Sequence, residues 1–526
     1  MRAGWIGALA LALAGCASVP ADRGRALVEE RSIAELSRAL RAGETTSEAL
    51  VAAYLDRIAR IDRAGPRLNS VIAISPDALA AARAADAAGH DGKGALHGVP
   101  ILIKDNVETR ELPTTAGSLA LAGNMSGRDA PLVARLLQAG AIVLGKTNLS
   151  EWANFRSTAS ISGWSAVGGQ ARNPYALDRS PCGSSSGSGT GVAASLAAGA
   201  VGTETDGSVV CPAAINGLVG FKPTVGLVSR TRIVPISASQ DTAGPITRTV
   251  EDAAIMLDAM AGADAEDAAT ASVPRARVPF AAALAQDGLH GVRVAVLRAG
   301  DDAALKARFD AALAALTAAG AVLVEVERPK LEGMGDAEFQ VLLTEFKAGL
   351  NAYLATTPPA VTARDLDALI AFNQRNAARE MPFFGQELFE QAARTKGLSD
   401  PAYKAARAKS LRLAGREGID AMLKKARATI LVTPTYGQAW LIDPVYGDSF
   451  KGPSASEMPA IAGYPHLTVP MGLADGLPVG ISFIGTAWAD AAVLRAGHSF
   501  EHAAPMRVPP RYLPSADVGP GLEPVR

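Results

Sequence analysis

The chain has 526 residues, a net charge of −1, 48% apolar residues and 20% charged ones. That balance supplies ample apolar surface for a large core. It leaves no electrostatic footprint for nucleic acid, and no acidic or basic block is long enough to serve as a binding tail.

Residues 1–15 read as a leader: Arg2, the apolar run Ala3 to Ala14, then Gly15. A charged start, a short apolar core and a small-residue exit form a signal-peptide pattern. The run falls short of the ~20 apolar residues that a spanning helix needs. Leu13-Ala14-Gly15-Cys16 resembles a bacterial lipobox, which implies cleavage before Cys16 and lipidation of Cys16. The alternative is a plain secretory signal cut after Ala17. Either way the expected location is outside the cytoplasm, periplasmic or anchored in a membrane, and two or more acyl chains would anchor it stably. Residues 16–30 are expected to be a tether.

Ser32-Ile33-Ala34-Glu35 and Thr45-Thr46-Ser47-Glu48 each fit a capping box. Ile33, Leu36 and Leu40 share one helical face; Leu50, Val51, Tyr54, Leu55 and Ile58 share another. Gly43 sits where a helix-ending glycine belongs, and a third helix follows Pro76. From Val99 onward, short β-branched runs alternate with helical stretches. The runs are Val99–Ile103, Ala141–Leu144, Ala200–Thr203, Leu218–Phe221, Val292–Leu297, Ala321–Val326, Thr429–Thr433, Leu467–Met471 and Val479–Ile484; Ala130–Ala139 and Gly187–Gly199 are helical examples between them. This alternation predicts an α/β sheet covered on both faces. Length alone suggests about three domains, but residues 31–503 read as one, with 300–425 a mainly helical cap. Residues 504–526 are Pro-rich and expected to be a loose tail.

Gly140-Ala141-Ile142-Val143-Leu144-Gly145-Lys146-Thr147 matches the P-loop pattern letter for letter. In a P-loop the four variable positions form a loop whose amides cradle phosphate. Here they want to be a buried strand, so nucleotide binding is rejected. Gly183-Ser184-Ser185-Ser186-Gly187 matches the nucleophile-elbow pattern, which needs an acid and then a histidine further on. His466 and His498 are the candidates, but loop residues rather than a strand precede the elbow. Cys182 and Cys211 complete the three cysteines; a bridge and two buried free thiols both remain open. No Cys-x-x-Cys or His-Glu-x-x-His spacing exists, so no zinc site is predicted.

The stretch 180–223 is dense in glycine and serine, which serve close backbone approach and positive φ, yet it resumes into buried helix and strand. Two serine-bearing loops flanking one helix can converge at one end of a sheet, where α/β sites lie. The segment resembles the amidase signature, with Ser184 and Ser208 twenty-four residues apart. His97-Gly98-Val99-Pro100-Ile101-Leu102-Ile103-Lys104-Asp105-Asn106 is similar to that family's lysine motif. Thr114-Thr115-Ala116-Gly117-Ser118, Gly145-Lys146-Thr147-Asn148-Leu149-Ser150-Glu151, and Ile461-Ala462-Gly463-Tyr464-Pro465 through Gly476-Leu477-Pro478-Val479-Gly480 also match, over roughly residues 30–503.

The resemblance implies an α/β fold with a large mixed twisted sheet sandwiched by helices, and hydrolysis of carboxamides without metal or organic cofactor. It implies Ser208 as nucleophile, Ser184 as proton relay and Lys104 as base. Backbone amides of Thr205, Asp206, Gly207 and Ser208 would form the oxyanion hole, and Ser185 would support the relay. A serine needs a base, and Lys104 can act as one only if burial keeps it neutral. Four positions depart from the common pattern: Cys182 for a glycine, Glu204 for an aspartate, Asp206 for a glycine, and Val210 where many members carry arginine. This variant set looks like the bacterial peptide amidases, which remove C-terminal amides of peptides. The expected partner is therefore a peptide or small-molecule amide, neutral rather than acidic, with no nucleic acid. A broad amidase or aryl-acylamidase, and an inactive peptide-binding lipoprotein, are the alternatives.

Overall fold

The computed structural model describes residues 21–274, 278–285 and 287–516. Its strands are β1 (Val71–Ile74), β2 (Pro100–Lys104), β3 (Ile142–Thr147), β4 (Trp164–Ser165), β5 (Gly169–Gln170), β6 (Gly199–Glu204), β7 (Val219–Lys222), β8 (Thr242–Thr247), β9 (Arg293–Leu297), β10 (Val322–Val326), β11 (Ile430–Pro434), β12 (His466–Ala474) and β13 (Leu477–Ile484). Apart from the β4–β5 pair they form one eleven-stranded sheet, ordered β1-β3-β2-β6-β8-β7-β12-β13-β11-β9-β10. Neighbours run parallel across β3-β2-β6 and β11-β9-β10 and antiparallel elsewhere. The sheet is therefore mixed, as the resemblance implied.

Central strands are buried on both faces, which explains why their sequences are continuously apolar rather than alternating. In β2 all five residues, Lys104 included, are buried. Helices Ser186–Ala193 and Val210–Ile215 pack on each other and on the strands around β6 and β7. Helix Asp490–Ala503 packs with helices Val250–Met260 and Ala303–Ala318 as a second set. The long helix Met334–Ala355 anchors a separate apolar cluster through Phe346, Leu350 and Leu354.

Two sheet strands escape sequence reading. β8 contains Gly244-Pro245, which reads as a turn, because proline cannot donate to a ladder and is usually confined to edges; here Pro245 lies opposite Val201 of β6 inside the sheet. β1 is only four residues long, half-exposed at one edge.

Three expectations need correction. Ser32 and Glu35 do form a reciprocal capping box, but Thr45 and Glu48 do not. Thr46 is the N-cap, its hydroxyl accepting from Ala49 N–H, while Glu48 pairs with Arg83. Much of the supposed tether is ordered: Ala21–Val28 is a helix, Val28 is buried, and Arg507 grips Glu30. Cys16 and the leader lie outside the described residues. The described part of the tail, 504–516, is strapped down rather than loose: Arg507 donates to Gly217 O, and Tyr512 N–H donates to Pro174 O at 2.9 Å.

The P-loop match dissolves into packing. Gly145 lies within β3, paired to β1 and β2, and a Cβ there would come 2.2 Å from the Ala73 carbonyl oxygen. Lys146 is fully buried 3.2 Å from Asp105 Oδ1, an internal ion pair. Gly145→Ala should thus destabilise the protein by about 1–3 kcal/mol, the usual range for overpacking, measured as a lower urea midpoint at unchanged slope.

Candidate active site

Parallel pairing brings the C-terminal ends of β2 and β6 side by side. The first ends in Lys104, the second in Thr203 and Glu204. Two loops descend on this edge. One carries Cys182–Ser185 into helix Ser186–Ala193; the other carries Thr205–Val209 into helix Val210–Ile215.

Lys104 Nζ donates to Ser184 Oγ at 2.8 Å, to Thr203 Oγ1 at 2.9 Å and to Thr203 O at 3.2 Å. Its three hydrogen-bonding directions are thus used, and no carboxylate lies in ion-pair range among the described residues. Asn106 Nδ2 donates to Thr203 Oγ1 at 2.9 Å. Ser185 Oγ donates to Thr203 O and accepts Thr203 N–H. Thr203 is therefore the hub of the site, and sequence reading missed it: a threonine ending a short strand carries no signal of its own.

Ser184 and Ser208 are brought close but not joined by a side-chain hydrogen bond. Ser185 N–H donates to Ser208 O at 3.2 Å, and Ser150 N–H holds Ser184 O at 3.1 Å. Cys182 and Cys211 form a disulfide between the two loops, resolving the question the sequence left open. Glu204 Oε2 accepts from Val209 N–H at 2.7 Å and Val210 N–H at 3.0 Å. Gly207, not Asp206, takes the positive φ, +81°, and a Cβ on it would lie 2.3 Å from Tyr436 Oη. An aspartate at 206 is therefore no obstacle to the turn.

Burial sets the protonation states. Desolvation brings Lys104 down to about 7, against the pull of Glu204 and Asp241. It brings Lys222 to about 8, opposed first by Glu204. Asp206 is raised by burial and by the charge of Glu204. Asp241 is raised to about 6 by burial, although Thr205 Oγ1 donates to it at 2.6 Å.

A narrow cleft opens beside this cluster. Ser184, Thr203, Thr205 and Asn106 form its polar wall; Ile233, Val234, Pro235 and Ile236 form its apolar one. Arg230 also borders it, but Asp267 holds that guanidinium with two oxygens. The cleft reaches Ser184, while Ser208 is not part of its walls.

The histidines serve elsewhere. His466 is wholly buried on β12, bonded to Ser482 Oγ at 2.6 Å and held down to about 3 by burial and by Lys222. His498 faces Ala285 O. Neither touches Ser184 or Ser208, so no Ser-His-Asp constellation forms.

The Amidase family model matches residues 49–494. The chain belongs to the amidase family. It is an amide-hydrolysing enzyme of the amidase-signature type. A probable amidase of Arabidopsis thaliana is 38% identical over 502 residues, 92% of each chain. The peptide amidase of Stenotrophomonas maltophilia is 51% identical, with a TM-score of 0.87 over 92% of this chain and 99% of that one. A peptide amidase in complex with the competitive inhibitor chymostatin is 52% identical, with a TM-score of 0.88 over the same shares.

In this amidase the buried lysine should titrate far below an ordinary one. Nζ-detected lysine NMR should show an amine changing charge near pH 7, below the one expected near 8 for Lys222, and this lower signal should be lost in Lys104→Met. A Lys104 resonance still shifting only above pH 9 would contradict the burial argument.

Proposed function

We propose that this amidase hydrolyses neutral carboxamides, C-terminal amides of peptides first among them, through an acyl-enzyme on Ser208. The observation that carries the reading is Lys104 Nζ at 2.8 Å from Ser184 Oγ, fully buried and brought down to about 7. A neutral amine there can accept a proton near neutral pH.

In this reading Ser208 Oγ attacks the amide carbonyl carbon as its proton passes to Ser184 Oγ. Ser184 in turn gives its own proton to Lys104 Nζ. The tetrahedral oxygen is held by backbone N–H groups of the Thr205–Ser208 turn, each such donor being worth about 3 kcal/mol. The C–N bond then breaks, the proton on Lys104 returns through Ser184 to the nitrogen, and ammonia or an amine leaves. Water repeats the sequence on the ester, with Lys104 again accepting a proton, and releases the acid and Ser208. Ser185 acts from behind by fixing Thr203, which in turn aims Lys104.

The peptide-amide class is supported by the identity to peptide amidases and by the charges around the turn. Val210 offers no cation, and the one guanidinium bordering the cleft, Arg230, is already paired with Asp267, so a free substrate carboxylate finds no open partner there. Export is part of the proposal. It is supported by the leader and Cys16 in the sequence, and by a disulfide that suits an oxidising compartment.

Ser208→Ala should lower ammonia release from a peptide amide by about 10³-fold or more, with the melting temperature unchanged; residual activity within tenfold of wild type would sink the nucleophile assignment. Because the base must be neutral, kcat/KM should rise about tenfold per pH unit below 7 and level off above it. A profile that falls through this range would mean that Lys104 acts as an acid. In a substrate panel, a peptide amide should outrun the same amide bearing a nearby free carboxylate. Preference for the carboxylate would refute the charge argument, and equal rates on anilides would favour an aryl-acylamidase.

A further inference from the structure

We propose that Cys182 and Cys211 are positioning residues for the reaction, their disulfide fixing the Ser184 loop against the Ser208 loop. This rests on the serine roles proposed above.

The bridge lies inside the site. Cys182 stands two residues before Ser184, and Cys211 three residues after Ser208. Their Cα atoms are 6.1 Å apart. Beyond this covalent link, Ser185 N–H donates to Ser208 O at 3.2 Å, and Asn216, which caps the end of helix Val210–Ile215, donates through Nδ2 to Pro181 O at 3.0 Å. Ser184 Oγ is already committed to Lys104. The reach from Ser184 to Ser208 is then set by how one loop sits on the other.

The bridge is not needed to hold the sheet. It encloses helix Ser186–Ala193 and strand β6, both wholly buried, with β6 paired on both edges to β2 and β8. What it restrains is the loop ends. Cys182 has φ +56°, a left-handed conformation that favours glycine. Its side chain is accounted for by the bond it makes. At the other end Cys211 N–H donates to Gly207 O at 2.8 Å, so the bridge also tethers the turn that presents Ser208.

The test uses the full chain, oxidised and reduced. A phosphine reductant breaks the S–S bond into two thiols and takes up oxygen from water as its oxide; thiol titration should then rise by two. Reduced at low temperature, the enzyme should keep its near-UV circular dichroism. Its kcat on a peptide amide should fall by about tenfold or more, with KM changing by less than about threefold, as expected for displacement of reacting groups by less than an ångström. Labelling of Ser208 by a serine-directed fluorophosphonate should slow by the same factor, and reoxidation should restore both rates. Cys182→Ala with Cys211→Ala should behave like the reduced enzyme. Undiminished kcat and labelling after reduction would overturn the proposal. So would an effect on KM alone, or loss of activity together with loss of the dichroism, since the bridge would then hold the fold rather than the site. An oxidised enzyme that hydrolyses no amide would instead fail the underlying reading, and this one with it.

Discussion

The candidate site of this amidase is organised around one lysine kept out of water with no carboxylate in ion-pair range among the described residues. Three lysines are fully buried, and their surroundings separate their fates. Lys146 stands beside Asp105 at 3.2 Å and remains an ion-pair partner. Lys222 rests against Pro223 O and feels the fields of Glu204, Asp490 and Asp206. Lys104 also bonds only neutral oxygens, two from Thr203 and one from Ser184, and it alone of the three reaches a serine hydroxyl. Neutral acceptors solvate the amine but do little to favour its charged form, so desolvation wins.

That choice propagates outward. An amine at the end of β2 can meet Thr203 only because β6 runs parallel beside it and stops at the same edge. The polar ring around Thr203 is completed by small neutral groups, Ser185 directly and Ser184 through Lys104. Ser186 Oγ donates to Cys182 O, and Ser188 Oγ donates to Val201 O and meets Thr147 Oγ1. These hydroxyls satisfy backbone oxygens buried where helix Ser186–Ala193 presses on the sheet. The glycines between them permit the approach: a Cβ on Gly187 would stand 2.2 Å from Ser70 O.

Much of this was legible in the sequence, and for physical reasons. Strands buried on both faces advertise themselves as unbroken apolar runs, so nine of the sheet strands were found within a few residues. Lys104, Ser184 and Ser208 were singled out because their motifs resemble a family, and the geometry brings the first two into contact. What stayed hidden was whatever depends on tertiary context. β8 hides behind Gly244-Pro245. Thr203 and Asn106 become a hub only when two strands end together. The straps across residues 21–30 and 504–516 rest on Arg507 meeting Glu30 and Gly217, groups hundreds of residues apart.

The helical cap shows the same dependence from the other direction. Its long helix Met334–Ala355 sends Glu345 to accept from Ser237 Oγ at 2.6 Å and Ser239 N–H at 2.9 Å. Glu338 on the same helix accepts from Gln240 Nε2 at 2.7 Å. Between them they grip the segment 237–240, whose next residue, Asp241, accepts the hydroxyl of Thr205 in the Thr205–Ser208 turn. The apolar wall Ile233–Ile236 hangs from that same segment, since Ile236 N–H donates to Asp241 Oδ2. A cap that appears remote in sequence thus sets both the shape of the cleft and the footing of the turn beside it. The wall of the cleft and the Thr205–Ser208 turn are therefore held through one short polar segment, and a change in the helix that grips it would shift both at once.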